Sequence, residues 1–217
     1  MHELNEVPKY SQLESINPGF KVLLWDLDGT IIDTEFLHVA STKIVLENHT
    51  PDHHLSPEQL TRDIIGFTDH QIFERMQKHS LLLELDIANF LIAKNTVFTT
   101  LLSKTDPSDL CINQIRELMA EAKQNGIKQM IVTSCEKPIV DILVRFLKIE
   151  KFFEKILTRE DTTENKPSPM PYNEAIKYLG ADPRQVIILE DSFTGLTAAK
   201  ATQATTCKVT WYPLIQE

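Results

Sequence analysis

The sequence has few cysteines and no long hydrophobic run. Only three of its 217 residues are cysteine (Cys111, Cys135 and Cys207), and they are widely spaced with no CxxC pair. This favours reduced thiols in a cytosol-like compartment over a disulfide framework. No run approaches the ~18 apolar residues that a membrane span needs; VLLW at residues 22–25 is typical of the longest ones. We therefore expect no membrane partner.

An excess of basic residues is also absent. The 22 lysines and arginines are outnumbered by 31 aspartates and glutamates, which gives a formal net charge of −9. That sign disfavours a protein that binds the nucleic-acid backbone in general. It does not exclude a small phosphate ligand, because a few local cations outweigh a diffuse negative field at close range.

The beginning of the sequence lacks the features of a signal peptide. The stretch MHELNEVPKYSQLES carries acids where a signal peptide has bases, and it has no apolar segment. We therefore expect a cytoplasmic protein. Internal repeats and Gly/Ser linkers are absent too, so the length suits one core with an insertion or two small domains.

The first half of the chain changes its pattern twice. Residues 1–19 are polar and end in an Asn-Pro-Gly turn signal, which predicts a loose N-terminal arm. The apolar run at 20–25 predicts a strand that is buried on both faces. From residue 34 to 104 the apolar positions follow a helical period and predict three or four helices. One of them begins at Ser56-Pro57-Glu58, the pattern of an N-cap followed by a helix start.

Beyond residue 104 short apolar strands alternate with helices. Strands are predicted at residues 130–132, 152–157, 186–189 and 205–210. This alternation predicts an α/β fold, a Rossmann-like parallel sheet with helices on both faces. The sequence thus divides into an N-terminal arm (1–19), an α/β core (20–33 and 105–217) and an inserted helical block (34–104).

Two aspartates follow the first predicted strand. Asp26 and Asp28 are two residues apart, so in an extended chain their carboxylates share a face. Gly29 permits a sharp turn and Thr30 adds a hydroxyl group. By itself the pattern Asp-x-Asp-Gly is as typical of an Asx-turn as of a site. A calcium loop shares it but needs a glutamate further on, and the apolar residues 31–32 interrupt that pattern.

Three later segments carry further polar groups. Thr133 and Ser134 follow a strand and precede a helix, which suits an anion site or a simple helix cap. Lys166 lies among turn-forming residues, in the stretch Lys166-Pro167-Ser168-Pro169, where it can face an anion or be solvated. Glu190 and Asp191 directly follow a strand, and adjacent acids of this kind suit Mg²⁺. Because ligands gather at the carboxyl ends of parallel strands, these groups together indicate one site.

The order of these segments resembles the haloacid dehalogenase superfamily of phosphohydrolases. Its motifs are present as LLWDLDGT (23–30), MIVTS (130–134), ENKPSP (164–169) and VIILEDS (186–192). The helical block, with IIGFTDHQIF at 64–73, is similar to the small helical cap of the β-phosphoglucomutase and phosphoglycolate phosphatase branch. The resemblance implies a core of that family's fold with an inserted α-helical cap domain.

The resemblance also implies a role for each core residue. Asp26 would be the nucleophile that forms an aspartyl-phosphate, and Asp28 the general acid and then the general base. Mg²⁺ would be held by Asp26, the Asp28 carbonyl group and Asp191, with Glu190 as a ligand or a neighbour of the ligands. The phosphoryl group would be bound by residues of the first three motifs: Asp28, Gly29, Thr133, Ser134 and Lys166.

The cap residues bear on the choice between hydrolysis and phosphoryl transfer. His38, Thr68 and Lys94 are the residues that the resemblance implies near the substrate. The same positions also suit a buried hinge histidine and a solvated lysine. Asp69 stands where the mutases carry an arginine for a second phosphate, which favours a monophosphate substrate. We therefore expect a monomeric, Mg²⁺-dependent phosphatase for a small phosphorylated metabolite such as a sugar phosphate. A phosphomutase and a non-enzymatic phosphate-sensing or partner-binding module are the alternatives.

Overall fold

The central strand β2 (Val22–Trp25) explains the arrangement around it. All four of its side chains are buried in the computed structural model, which describes residues 1–65 and 67–212. A strand that is apolar on both faces is stable only where helices cover both sides of the sheet. This strand therefore lies in the middle of the fold.

In the part of the chain that the structure describes, the sheet has six strands, and every neighbouring pair is parallel. Their spatial order is β1-β6-β5-β2-β3-β4. The sequence-based prediction of an α/β fold with a parallel sheet is confirmed. The other strands are β1 (His2–Leu4), β3 (Lys128–Val132), β4 (Lys155–Leu157), β5 (Val186–Glu190) and β6 (Thr205–Val209).

Helices cross over between the strands of this sheet. Several end where the sequence predicts: Gly180 takes a positive φ of 63° directly after one of them, and Gly126 follows another. The helices of the α/β part are α1 (Tyr10–Ile16), α6 (Pro107–Leu110), α7 (Asn113–Gln124), α8 (Lys137–Leu147), α9 (Met170–Leu179) and α10 (Phe193–Lys200). Short 3₁₀ turns occupy Glu150–Phe152, Arg159–Asp161 and Pro183–Gln185.

The strand order reverses beside β2. From β2 the chain continues outward through β3 and β4, and it then returns to β5 on the opposite side of β2. In open parallel sheets such a reversal creates a crevice at the carboxyl ends of the strands on either side of it. The residues after β2 and β5 therefore meet at one edge of the sheet.

The chain divides into two compact units. One holds residues 1–33 and 107–212, and the other holds residues 34–106. Both boundaries lie in segments that join the apolar patterns described above. That the second unit acts as a cap stays a prediction.

In its described residues, the second unit contains four helices. They are α2 (Glu35–His49), α3 (Pro57–Ile64), α4 (Asp69–Lys78) and α5 (Ile87–Leu102). Ser56 caps α3 as predicted, since its side chain accepts a hydrogen bond from the amide of Gln59. The helices bury their own apolar cluster, which includes Leu46, Met76 and Phe90. Within the described part of the chain, no helix combines the length and the apolar character needed to cross a membrane.

Residues 1–19 differ from the expected loose arm. Residues 2–4 form β1, which pairs with the edge strand β6. Leu13 on α1 is fully buried, and the Tyr10 amide donates a hydrogen bond to Glu121 Oε2 at 3.2 Å. A three-residue edge strand is held by main-chain hydrogen bonds, which leave no hydrophobic period in the sequence. This is why the prediction of an arm was wrong.

Candidate active site

A tight turn after β2 presents the first two acids. The amides of Thr30, Ile31 and Ile32 all donate to the carbonyl group of Leu27, and Gly29 has a φ of 81°. Only glycine adopts that conformation readily. Asp26 is left buried, with 6% of its surface exposed, and Asp28 is half-buried.

The turn lies directly against Asp191. A Cβ atom at Gly29 would come within 2.1 Å of Asp191 Oδ2, so no larger residue fits there. The Thr30 hydroxyl group donates a hydrogen bond to Asp191 Oδ1 at 3.4 Å. The loops after β2 and β5 are therefore packed together, as the strand order requires.

Lys166 lies between two of the carboxylates. Its Nζ atom is 2.6 Å from Asp26 Oδ1 and 2.8 Å from Glu190 Oε2. The lysine side chain is only 3% exposed. Its ammonium group also lies 4.9 Å from the centroid of the Tyr172 ring. The four residues form one buried cluster, although Lys166 follows Asp26 by 140 positions.

Both carboxylate oxygens of Glu190 are occupied by donors. Oε1 accepts from the Ser192 amide and hydroxyl group, at 3.1 and 2.8 Å, and Oε2 accepts from Lys166 and from the Tyr172 hydroxyl group. The carboxylate also fills the space above Gly195, where a Cβ atom would approach within 2.0 Å. A side chain held this firmly is suited to positioning its neighbours.

Tyr172 and Gly195 were missed by the sequence reasoning. Tyr172 lies among the apolar positions of α9 and is indistinguishable from a core residue in the sequence pattern. Gly195 does carry a signal, because glycine is costly inside a helix and this one stands in α10, four residues after Asp191. Such a residue indicates the close approach of another group.

The charges in the cluster shift several pKa values. Burial and the Glu190 carboxylate raise the pKa of Asp26 well above its usual range, against the opposing effect of Lys166. Burial and Glu190 also raise the pKa of Asp191 to about 7. Burial alone would raise the pKa of Glu190 too, but Lys166 and the hydrogen-bond donors around it hold it below its ordinary value. The cluster is therefore short of positive charge.

Three of these acids have the arrangement of a cation site. Ligand atoms of Asp26, Glu190 and Asp191 all lie within 4.8 Å of one another. Three carboxylates face one ammonium group, so their mutual repulsion would be offset by a bound cation. Carboxylate oxygens are the donors that Mg²⁺ and Ca²⁺ prefer. The donor set thus fits a hard divalent ion.

The second predicted motif follows β3, which lies beside β2. Thr133 is buried, its amide donates to the Leu157 carbonyl group at 2.9 Å, and its Oγ1 accepts from the Cys135 amide at 3.0 Å. Ser134 is exposed. Both residues are at the carboxyl end of β3, on the same edge of the sheet as Asp26.

The three residues predicted to be near the substrate lie in the helical unit. Lys94 on α5 is only 1% exposed and forms an ion pair with Asp69. Its Nζ atom also donates to His38 Nδ1 at 3.0 Å, which places the proton of the neutral imidazole on Nε2. Burial and the Lys94 ammonium group lower the pKa of His38 to about 3. Thr68 is the N-cap of α4, and its hydroxyl group exchanges hydrogen bonds with Gln71.

Comparison with known proteins identifies relatives over most of the chain. The family model described as haloacid dehalogenase-like hydrolase matches residues 23–209. The pyrophosphatase PpaX of Bacillus pumilus is 27% identical over 192 residues, which cover 87% of this chain and 82% of that protein.

Solved structures agree with this match. CbbY from Rhodobacter sphaeroides, crystallised in complex with phosphate, is 28% identical with a TM-score of 0.71 and covers 88% of this chain and 85% of its own. A haloacid dehalogenase (HAD) hydrolase of family IA, variant 3, from Entamoeba histolytica is 26% identical with a TM-score of 0.75, covering 90% and 86%. The similarity therefore extends over both units of the chain.

Proposed function

Because the chain belongs to the haloacid dehalogenase-like hydrolase family, we propose that it is a Mg²⁺-dependent phosphatase that acts on a small phosphorylated metabolite. The observation that carries the proposal is the buried cluster at the reversal of the sheet. There the Asp26 carboxylate is 2.6 Å from the Lys166 ammonium group and within 4.8 Å of the ligand atoms of two more acids. A carboxylate in such surroundings can approach a dianionic phosphate, since positive charge is held beside it.

The first step transfers the phosphoryl group to Asp26. An oxygen of its carboxylate attacks phosphorus, and the bond between phosphorus and the leaving oxygen breaks. Asp28 gives its proton to that leaving oxygen, so the product departs as an alcohol. Asp28 is suited to this because it is two residues away and less buried than Asp26.

The second step releases phosphate. A water molecule attacks the phosphorus of the aspartyl-phosphate, and Asp28, now a carboxylate, takes a proton from it. The bond between phosphorus and the Asp26 oxygen breaks, which regenerates the free carboxylate. Asp28 therefore ends the cycle protonated, ready for the next substrate.

The phosphoryl oxygens need donors throughout both steps. We assign this role to Lys166, to the Thr133 hydroxyl group and to the backbone amides of Asp28, Gly29 and Ser134. Lys166 is fixed by its two carboxylate partners, so little reorganisation is needed when the substrate binds. These amides follow β2 and β3, which are neighbouring strands of the sheet, so they lie at the same edge of it.

The metal would be held by Asp26, Asp191 and the Asp28 carbonyl group. Glu190 is the weaker candidate for a direct ligand, because each of its oxygens already accepts two hydrogen bonds. When bound, a divalent cation neutralises the phosphate and the adjacent carboxylates. Glu190 would then hold Lys166 and Ser192 in place.

The helical unit supports a substrate with one phosphate group. Asp69 forms an ion pair with the Lys94 ammonium group, so the pair has no net positive charge with which to bind a second phosphate. His38, Thr68 and Lys94 would contact the organic part of the substrate. Since the Bacillus relative is named a pyrophosphatase, inorganic pyrophosphate belongs in the substrate panel beside sugar phosphates and phosphoglycolate.

We also propose a cytoplasmic monomer. All three cysteines are free thiols, and Cys111 and Cys207 are buried. Free thiols of this kind suit a reducing compartment.

The test is a phosphate-release assay over some dozens of phosphorylated metabolites, with and without Mg²⁺. We expect Asp26→Asn to lower turnover by at least about 10³-fold, because the amide is no nucleophile. Asp182→Asn, a change at a partly exposed acid of the same unit, is the control that keeps wild-type turnover. Wild-type turnover in the Asp26 variant would refute the assignment. Isomerisation of hexose phosphates without phosphate release would favour a phosphomutase instead.

A further inference from the structure

The hydroxyl group of Tyr212 joins two distant parts of the α/β unit. It lies 2.7 Å from the carbonyl oxygen of Ile31 and 3.1 Å from that of Leu110, and it accepts a hydrogen bond from the Ile112 amide at 3.2 Å. Ile31 precedes the point where the chain leaves this unit, at residue 33, and Leu110 follows its return at residue 107. The two crossings are thus tied together by one side chain.

A backbone hydrogen bond reinforces this connection. The Asp33 amide donates to the Leu110 carbonyl oxygen at 2.9 Å. The same oxygen also lies 3.1 Å from the Tyr212 hydroxyl group, which shares its single proton between this oxygen and that of Ile31. Since buried backbone groups are costly to leave without a partner, these bonds favour a single arrangement of the two segments.

Trp211 acts on the turn itself. Its indole Nε1 donates to the Thr30 carbonyl oxygen at 2.8 Å, and the side chain is 9% exposed. The amide of Thr30 is bonded to Leu27 within the turn, so both polar groups of this residue's backbone are held. The orientation of the Thr30 peptide groups is therefore fixed from outside the turn as well as from inside it.

These contacts reach the acids of the site. Thr30 lies against Asp191 through its hydroxyl group, and Gly29 lies against the same carboxylate with no room for a Cβ atom. A shift of the turn would therefore change the position of Asp28 relative to Asp191. Misplacement of a reacting group by about 1 Å can cost about 10²-fold in rate.

We propose that Trp211 and Tyr212 are positioning residues, which hold the turn that carries Asp28 in its productive place against Asp191. This inference rests on the proposed function for its effect on catalysis, but not for its effect on the turn. The two residues follow the segment that the family model matches, which ends at residue 209. They are thus a feature of this chain beyond the matched family segment.

The experiment compares Tyr212→Phe and Trp211→Phe with Tyr178→Phe, whose hydroxyl group lies on the exposed side of α9. Steady-state hydrolysis of p-nitrophenyl phosphate is measured at saturating Mg²⁺. We expect kcat to fall about tenfold in the Tyr212 variant and to a similar extent in the Trp211 variant, with KM unchanged. The Tyr178 variant should match the wild type.

Amide hydrogen exchange tests the positioning without any catalysis. In the metal-free full chain, exchange should accelerate in peptides that cover residues 28–33 and 110–112, and stay unchanged in α8. Faster exchange throughout the unit would indicate a general loss of stability and would overturn the proposal. Unchanged exchange in 28–33 would overturn it too. Faster exchange in the turn with no measurable hydrolysis in the wild type would refute the proposed function and leave the positioning intact.

Discussion

Among the described residues, each unit of the protein buries one lysine side chain, and the two lysines have different surroundings. Lys166 in the α/β unit is 3% exposed and faces Asp26 and Glu190, with Asp191 in the same group of acids. Lys94 in the helical unit is 1% exposed and faces Asp69 and the neutral ring of His38. The first cluster holds three acids for one ammonium group, whereas the second holds one.

The difference separates a cluster with surplus negative charge, which attracts a cation, from an ion pair whose charges are already balanced. A buried pair of opposite charges satisfies itself, and burial then favours keeping it closed. A buried cluster with surplus negative charge is stable only when protonated or when a cation joins it. Burial of a lysine therefore does not by itself indicate function; the charge balance around it does.

Among the substitutions that test this comparison of the two lysines, the largest effect should come from Lys166. Lys166→Met removes the group that holds Asp26 and the phosphoryl oxygens, so we expect kcat to fall by about 10²–10³-fold. The three carboxylates remain, and Mg²⁺ should still raise the melting temperature of the variant. Phosphate release and thermal unfolding with and without Mg²⁺ measure both. Turnover within about threefold of the wild type would mean that the two lysines do not differ in the proposed way.

Lys94→Met should act on stability. It leaves the Asp69 carboxylate without its partner in a partly buried position, and we expect the helical unit to lose about 3 kcal/mol. The double variant Lys94→Met/Asp69→Asn should recover part of that loss, since no uncompensated charge remains. Both tryptophans, Trp25 and Trp211, lie in the α/β unit. Urea unfolding followed by far-UV circular dichroism and by tryptophan fluorescence therefore distinguishes the two units.

A local role for this pair would be contradicted if, in the Lys94→Met variant alone, tryptophan fluorescence and far-UV circular dichroism changed at the same urea concentration. A rise in KM measured on the folded variant would assign Lys94 to substrate binding as well.

The His38 ring should make stability depend on pH. Its pKa is lowered from 6.5 to about 3 by burial and by Lys94, with Asp69 opposing. The unfolded state binds the proton more readily, so stability is complete above pH 6.5 and falls as the pH falls towards 3. Between pH 6.5 and about pH 4 the loss should approach about 3 kcal/mol. Urea midpoints of the wild type and His38→Gln at both pH values measure it.

The exposed His70 on α4 provides the matched control. His70→Gln should keep the wild-type dependence on pH, and His38→Gln should flatten it. Equal slopes in all three proteins would show that the His38 ring is not buried as a neutral acceptor for Lys94.

The contrast between the lysines also shows which contacts can be predicted from the sequence and which cannot. Apolar runs followed by acids predict β2, β5 and the acids after them, because buried parallel strands end at one edge of a sheet. Lys166 was grouped with these acids by the joint pattern of the four segments, and its role came from the resemblance to a family; its spacing gave no contact, since 140 residues separate it from Asp26. The pairing of Lys94 with Asp69 and His38 has no signature in the sequence, because these partners are 25 and 56 residues away and are brought together only by tertiary packing. The short edge strand β1 and the role of Tyr172 were missed for the same reason.

The smallest effect should come from Tyr172, which tests whether the fixed position of Lys166 depends on a neutral donor. Tyr172→Phe keeps the ring beneath the ammonium group and removes the hydroxyl group that donates to Glu190 Oε2. Glu190 retains its bonds from Lys166 and Ser192, so we expect a loss of about 1 kcal/mol in transition-state stabilisation, or about fivefold in kcat. Tyr178→Phe on the same helix is the matched control in this assay. A loss as large as that of Lys166→Met would mean that Glu190 cannot hold the lysine without this donor, and charge balance alone would then not explain why the two buried lysines differ.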